Sequence, residues 1–542
     1  MNTLKALINN QFPATELVEG ENLSIEVAPG ELRELVGFLY NYAPHPFDYL
    51  VYLIGTDDGE NLGVTYLLSS SVQPSIQIIL KTSTPDRVNP LLYSVTDFYE
   101  TAHFNEREVF AMYGIRFINN PDMRRFLLND SWNGFPLRKD YNPDETLNPL
   151  SVESKDVVDL APRIMEVDGT FVEETVRVFE EDDYIINIGP QHPSTHGVMH
   201  FRTALDGEIV KKIDVHSGYI HRGIEKLCEG MTYPQTLHFT DRLDYISAGM
   251  NRHALCMCVE KAAGIEVPER AQYIRTIMDE LNRISSHLVA WAAQTNDLGA
   301  TTAFIYGMRE REIVLDIFDK TCGGRLIINN NVIGGVMFDI YPQFQADVKA
   351  FIPYMREKLK EYDRFFSHNV IALGRMKNIG LLSKKDAISY AVTGPAGRAS
   401  GWSCDVRKHQ PYAVYNKVDF QEVLRSEGDS YARYLNRLDE IEQSLYIIEQ
   451  LIDNIPSGDF CAKTKAIIKL PEGEYFQHVE AGKGLFGVYI QSKGDKTPHR
   501  LKFRSPSMAL VSVMPLICKG EKISDFIGIG GSMDYVIPDI DR

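Results

Sequence analysis

The sequence predicts an α+β protein in two units. Residues 1–142 read as a small α+β domain and residues 143–183 as a linker. Residues 184–542 read as a mainly helical bundle with a β-hairpin region. Three observations carry this. Short β-rich runs bounded by turn residues alternate with helical spacing in the first unit. A proline-broken acidic stretch with Pro143, Pro149 and Pro162 follows, ending Glu180-Glu181-Asp182-Asp183. Then come several long stretches with apolar residues three and four apart, the pattern of packed helices.

Composition sets bounds on function. A chain of 542 residues can bury sizeable cores, and the length favours more than one domain. The formal net charge of −18 argues against a general nucleic-acid surface, which needs lysine and arginine in excess. It suits a soluble protein or a component of an assembly. Seven scattered cysteines do not make a disulfide framework, and no CxxC occurs. Cys256-Met257-Cys258 reads as small core residues. Met1 to Gly20 lacks the pattern of a secretion signal, and no apolar run reaches membrane-spanning length.

In chain order, Pro29 to Tyr42 has helical spacing through Leu32, Leu35, Val36 and Leu39. Tyr49–Ile54, Gly63–Leu68 and Ser75–Lys81 are strands, the first two separated by the turn signal Asp57-Asp58-Gly59. Val95 to Ala111 is helical. Glu106 to Phe117, Pro121 to Leu127 and Pro136 to Tyr141 carry many charges and read, on physics alone, as a partly exposed surface with ion pairs.

Beyond the linker, Tyr184–Ile188 is a strand running into the loop Gly189-Pro190-Gln191-His192-Pro193-Ser194-Thr195-His196-Gly197, and Val198–Leu205 is a strand running out. Pro193 between the histidines argues against a helical metal-ligand pair, so the loop presents His192 and His196 at a hairpin tip. A metal pair or a solvated turn explains them as well. His216 to Lys226 reads as a polar site wall or a surface turn. Thr240 is read as the N-cap of a helix running to Ala263 and stopped by Gly264, with Tyr245 in its first turns. Pro268 starts a long helix with one apolar stripe, ending near Asn296-Asp297-Leu298-Gly299. A carboxylate at a helix exit is disfavoured by the dipole, so Asp297 hints at a specific partner. Ala303–Thr321, Gln343–His368 and Ser430–Ile455 are further helices, and the pattern turns β-like from Ala466.

Glu106-Arg107-Glu108-Val109, Pro121-Asp122-Met123-Arg124-Arg125 and Pro136-Leu137-Arg138-Lys139-Asp140, in that order, resemble the signature of the C-type component of bacterial NADH:quinone oxidoreductase, respiratory complex I. Asn120 replaces the family's usual histidine, and Ala111-Met112 its common Asp-Leu. The second unit resembles the D-type component: the GPQHPSTHGV loop, the HSGYIHRGIEK turn, DRLDY, DLGA, Arg309-Glu310-Arg311-Glu312, Arg398-Ala399-Ser400-Gly401 with Asp405-Val406-Arg407, and the tail SMDYVIPDIDR. The two together look like the fused C/D form found in some bacteria.

The resemblance implies a D-type unit with the nickel–iron hydrogenase large-subunit fold. It implies a peripheral protein on the cytoplasmic side of the inner membrane that forms a quinone-reduction site with a cluster-bearing small subunit. Reduction needs two protons; His196 and Tyr245 are the implied groups at the two ring carbonyls, and Asp297 the implied partner of His196. His192 is an implied neighbour in the quinone cavity. Arg242 is the implied position beside the partner's iron–sulfur cluster. The chain itself offers no cluster ligands and is expected to bind no cofactor. Where ubiquinone-using relatives commonly carry a histidine after a GxR turn, Gly323-Gly324-Arg325 is followed by Ile327. That points to a lower cluster potential and a quinone such as menaquinone. Two rivals are a nickel–iron hydrogenase, which needs two CxxC pairs near Asp241–Tyr245 and Asp534–Ile537 where no cysteine stands, and a non-catalytic scaffold.

Overall fold

The structure is a computed structural model, described for residues 2–20, 22–129, 131–144 and 159–542. The first unit is built on a five-stranded sheet, β1 (Glu16–Val18), β2 (Leu23–Glu26), β3 (Tyr49–Asp57), β4 (Leu62–Ser69) and β5 (Gln77–Thr84), in the order β1-β2-β5-β4-β3. Helices α1 (Asn2–Gln11), α2 (Leu32–Tyr40) and α3 (Ala102–Tyr113) accompany it. The expected strands and α2 are present. The expected helix from Val95 begins only at Ala102. Glu106 explains the delay: its buried carboxylate accepts from Ser94 Oγ (2.8 Å) and from the backbone N–H of Val95 (2.9 Å), which holds that segment in a turn.

The charged signatures form the expected ion pairs, and the third is partly exposed as expected, but the first two are largely buried. Glu106, Arg107 and Glu108 are all buried, and each signature sends one charged residue across to the second unit. Glu108 pairs with Arg542 (2.6 Å) and Lys502, Arg124 with Asp214 (2.8 Å), and Lys139 with Glu229 (2.9 Å). The two units therefore share a buried, ion-paired joint, where removing one partner strands the other charge.

The linker is also different from expectation. Residues 145–158 lie outside the described residues, but β8 (Leu160–Val167) and β9 (Thr170–Arg177) form a hairpin. It joins β6 (Leu91–Tyr93) and β7 (Arg116–Ile118) of the first unit in the order β6-β7-β8-β9. Asp168 and Gly169, both at positive φ, make its two-residue turn.

In the second unit β10 (Tyr184–Ile188), β13 (His200–Asp206) and β14 (Ile209–His216) form a three-stranded sheet. Between β10 and β13 the loop carries β11 (Gln191–His192) paired with β12 (Gly197–Val198), with one 3-10 turn, Pro193–Thr195, between them. Then follow α4 (Ile224–Glu229), α5 (Tyr233–Thr240), α6 (Ala248–Ala263), α7 (Glu269–Asp297), α8 (Thr301–Cys322), α9 (Phe344–Tyr362) and α10 (Ser430–Leu451), with shorter helices between the last two. A second three-stranded sheet, β15 (Gly473–Ala481), β16 (Gly484–Ser492) and β17 (Arg500–Arg504), precedes α11 (Ile523–Met533) and α12 (Ile537–Asp541). Helix α7 is the spine. Ile274, Ile277, Leu281, Ile284 and Leu288 are fully buried along it, and α8 packs back on it where Gly307 meets Trp291 and Ala292. Trp291 stacks on Tyr362 with ring centroids 4.1 Å apart.

One helix start moves. Thr240 does not cap a helix; it ends α5, which begins with a capping box of Thr232 and Gln235. Asp241 to Ser247 is a turn, and Asp241 is ion-paired with Arg252 of α6 (2.7 Å). Tyr245 thus sits on a turn, not on a helix face.

Candidate functional site

His196 stands on the loop between β10 and β13 at φ +53, a left-handed conformation that a residue with a Cβ adopts only when its surroundings impose it. The loop is built to impose it. Thr195 Oγ1 donates toward the carbonyls of His192 (2.8 Å) and Gly197 (2.7 Å), tying the turn to itself. Helix α11 packs on residues 193–195, and Gly197 lies against Ile537 of α12.

The structure brings His196 to Asp297. His196 Nε2 lies 2.9 Å from Asp297 Oδ2, with the side chains 25% and 12% exposed. Asp297 is the last residue of α7, so the dipole alone gives its charge no welcome there. His196 supplies the compensation. Burial pulls the pKa of the ring down, but Asp297, helped by the charge of Asp534, outweighs burial and holds it above the usual histidine value. Gly531 of α11 makes room: a Cβ there would sit 2.6 Å from Asp297 Oδ2.

Tyr245 reaches the same region by another route. Burial raises its pKa, and the charge of Lys483 opposes that while Asp244 and Asp534 add to it. Lys483, fully buried, has its Nζ 3.3 Å from Asp244 and 3.6 Å from Asp534, and 3.3 Å from Ser286 Oγ. Asp534 therefore acts on both His196 and the ammonium beside Tyr245. Lys483 and Asp534 come from distant segments, and no local pattern marks them as site residues.

His192 is exposed on β11 opposite Gly197. Arg242 is also exposed; its Nη1 donates to the His238 carbonyl (2.6 Å) and its own carbonyl accepts from Arg222 (3.2 Å). Ile327 is half-buried after the glycine turn. The arrangement as a whole offers an imidazole whose protonated form is favoured, a phenol and a buried ammonium, each with a carboxylate nearby. That is equipment for giving protons to an acceptor.

Comparison with known proteins identifies the family. Residues 25–147 match the family model of the respiratory-chain NADH dehydrogenase 30 Kd subunit. Residues 297–470 and 460–542 match that of the 49 Kd subunit. The fused C/D-type chain of NADH-quinone oxidoreductase from Phocaeicola vulgatus is 57% identical over 497 residues, covering 91% of this chain and 95% of the relative. That of Bacteroides fragilis is 55% identical over 507 residues, with the same coverage. The separate D-type chain of Bacillus cereus is 44% identical over 361 residues, covering 66% of this chain and 99% of its own length. With both family models matched in order and relatives matched along nearly their whole length, this chain belongs to the family of fused C/D-type chains of NADH-quinone oxidoreductase.

Proposed function

We propose that this chain works as the quinone-site component of a multisubunit NADH:quinone oxidoreductase of the respiratory complex I type, and that His196 is the proton donor to the quinone. The single observation that carries the reading is the His196–Asp297 pair. With Nε2 held by Asp297, the other ring nitrogen is turned to substrate. His196 gives the Nδ1 proton to one ring carbonyl as electrons arrive, and the neutral ring keeps its Nε2 proton on Asp297. The Tyr245 hydroxyl serves the opposite carbonyl, with Lys483 behind it to restore the proton. His192 belongs to the cavity wall.

Electrons come from an iron–sulfur cluster on a small partner subunit, with Arg242 beside it. Ile327 in place of a protonatable residue points to a low-potential cluster and a quinone such as menaquinone. A redox titration should return a midpoint that hardly moves with pH, and a strongly pH-dependent, ubiquinone-like midpoint would overturn this part. The chain is peripheral, on the cytoplasmic face of the inner membrane; among the described residues no helix is long and apolar enough to cross one. The hydrogenase large-subunit relation has support of its own. Asp244 and Asp534 meet across Lys483. They lie in the two segments from which a nickel site would draw its thiolates, and here they present carboxylates.

The test is His196→Ala in the assembled complex. Quinone reduction should fall about 10²–10⁴-fold while the partner cluster is still reduced by the electron donor. An unchanged rate would return the chain to the role of scaffold.

A further inference from the structure

The His196 loop leaves the sheet at Ile188 and returns at His200, and at its foot the two chain segments touch backbone to backbone. Gly189, at φ +97, has no room for a side chain: a Cβ would lie 1.9 Å from the Met199 carbonyl oxygen. Beyond that contact the only ladder is the two-residue pairing of β11 with β12, too short to be rigid by itself. Yet His196 must be kept in a left-handed conformation and within reach of Asp297.

One side chain spans the foot. His200, buried, has Nε2 3.0 Å from Asn187 Oδ1 on the incoming strand, and Nδ1 3.3 Å from the hydroxyl of Tyr219. Its ring lies 5.7 Å from that of His216, the residue opposite it in the ladder. His216 is bonded to Asp214 (2.7 Å), and Asp214 to Arg124 of the first unit. The charged and titratable groups around His200 are thus His216, Arg202, Asp214 and Tyr219. Burial, with His216 and Arg202 adding to it, pushes the His200 pKa down to about 4. The ring stays neutral, with one N–H to give to Asn187 and one lone pair to accept from Tyr219.

We propose that His200 is a positioning residue for the reaction: it clasps the two feet of the His196 loop through Asn187, anchors them to the Tyr219 turn, and so keeps His196 in register with Asp297. This rests on the reading of His196 as the proton donor. The clasp also connects the first unit to the loop. Arg124 fixes Asp214, Asp214 fixes His216, and His216 walls in the ring that holds the loop.

The test uses the assembled complex. His200→Phe keeps the ring volume and removes both bonds; Asn187→Ala removes one. Hydrogen exchange at the amides of residues 190–198 should quicken at least about tenfold in His200→Phe and less in Asn187→Ala. Turnover should fall more than KM rises. The alkaline limb of the rate should move to lower pH, because a loosened His196 leaves Asp297 more often and loses its proton sooner. The double variant should be no worse than His200→Phe, since both remove the same bond. His200→Gln, which can still donate to Asn187, should restore part of the loop's protection. Unchanged exchange and an unmoved pH limb in both single variants would overturn the proposal, as would a loosened loop with full turnover. If His200→Phe does not assemble, Asn187→Ala and Tyr219→Phe read the same two quantities. His196→Ala, measured alongside, separates the two claims: it should cut turnover about 10²–10⁴-fold without loosening the loop, and full activity there would sink the donor reading while leaving the exchange result to judge the clasp.

Discussion

Of the histidine–carboxylate pairs to which helix α7 contributes, two look alike and behave in opposite ways. At its end, Asp297 lies 2.9 Å from His196; in its middle, His287 lies 3.0 Å from Glu440. The first histidine has its pKa raised and the second has it lowered. Depth is part of the difference, since His287 is fully buried and burial is the larger force on it. The rest is competition. Glu440 also accepts from Arg398 Nε (2.9 Å) and is ion-paired with its Nη2 (2.8 Å), and Arg398 in turn holds Glu480 (2.6 Å). Arg283 and Arg437 repel a charge on His287 as well. Glu440's negative charge is already matched, which holds its own pKa down at about 2 and leaves little for the histidine. Among the described residues, Asp297's ion pair is with His196. Asp297, whose charge no arginine among those residues has matched, raises its histidine's pKa, while Glu440, already matched by Arg398, does not overcome burial.

The comparison breaks most visibly on the buried side. Glu440→Gln leaves Arg398 and His287 without their shared anion and should cost about 3–5 kcal/mol of stability. The loss would be seen as poor recovery of the chain in the complex or a markedly lower thermal midpoint. The pH profile of whatever activity survives should stay where it was, because His287 takes no part in proton donation. A moved profile would mean that the charge core and the site titrate together.

Asp297→Asn should do the reverse, sparing stability and cutting quinone reduction by about 10²-fold. The sign of its pH effect is fixed by the pair. His196 has a folded pKa above its unfolded one, so the protonated donor exists at low pH and is lost as pH rises through the folded value. Without the carboxylate, only the charge of Asp534 is left to oppose burial, and the alkaline limb should move to lower pH. Steady-state rates across the pH range check this, and a limb that stays in place would show that another group donates.

Much of the fold is legible in the sequence where one periodicity rules. The stripe of α7 and the strands β3 to β5 are of that kind, because each is a long apolar pattern with a clear stop. The hairpin β8–β9 hides because Pro162 and its acids read as part of a linker, although Val167-Asp168-Gly169-Thr170 holds a two-residue turn signal. Thr240 misleads because a threonine before an aspartate fits a helix start, while the stronger signal, Thr232-x-x-Gln235 with Pro234 between, stands earlier. Arg107 and Arg124 read as surface because charge alone says nothing of the carboxylates that arrive from elsewhere; Arg124 meets Asp214 only in three dimensions. The same holds for Lys483 between Asp244 and Asp534. His196, Tyr245 and Asp297 emerge from family resemblance, not from spacing, and their separation along the chain explains why.

The smallest expected effect is the sharpest probe of the site side. Gly531→Ala adds one methyl group to α11 where a Cβ would sit 2.6 Å from Asp297 Oδ2 and 3.5 Å from Gln294 Cα. The backbone of α7 cannot give way, so the carboxylate must. Alanine in a helix recovers about 1 kcal/mol over glycine, which offsets much of the crowding, and the thermal midpoint should change little. Turnover should nevertheless fall about tenfold, because a carboxylate displaced by a fraction of an ångström holds His196 less well. The charge of Asp297 is intact in this variant and absent in Asp297→Asn. Equal losses in the two would mean that placement of the carboxylate, more than its charge, makes His196 a donor; a silent Gly531→Ala would mean that Asp297 can follow the ring wherever the loop puts it.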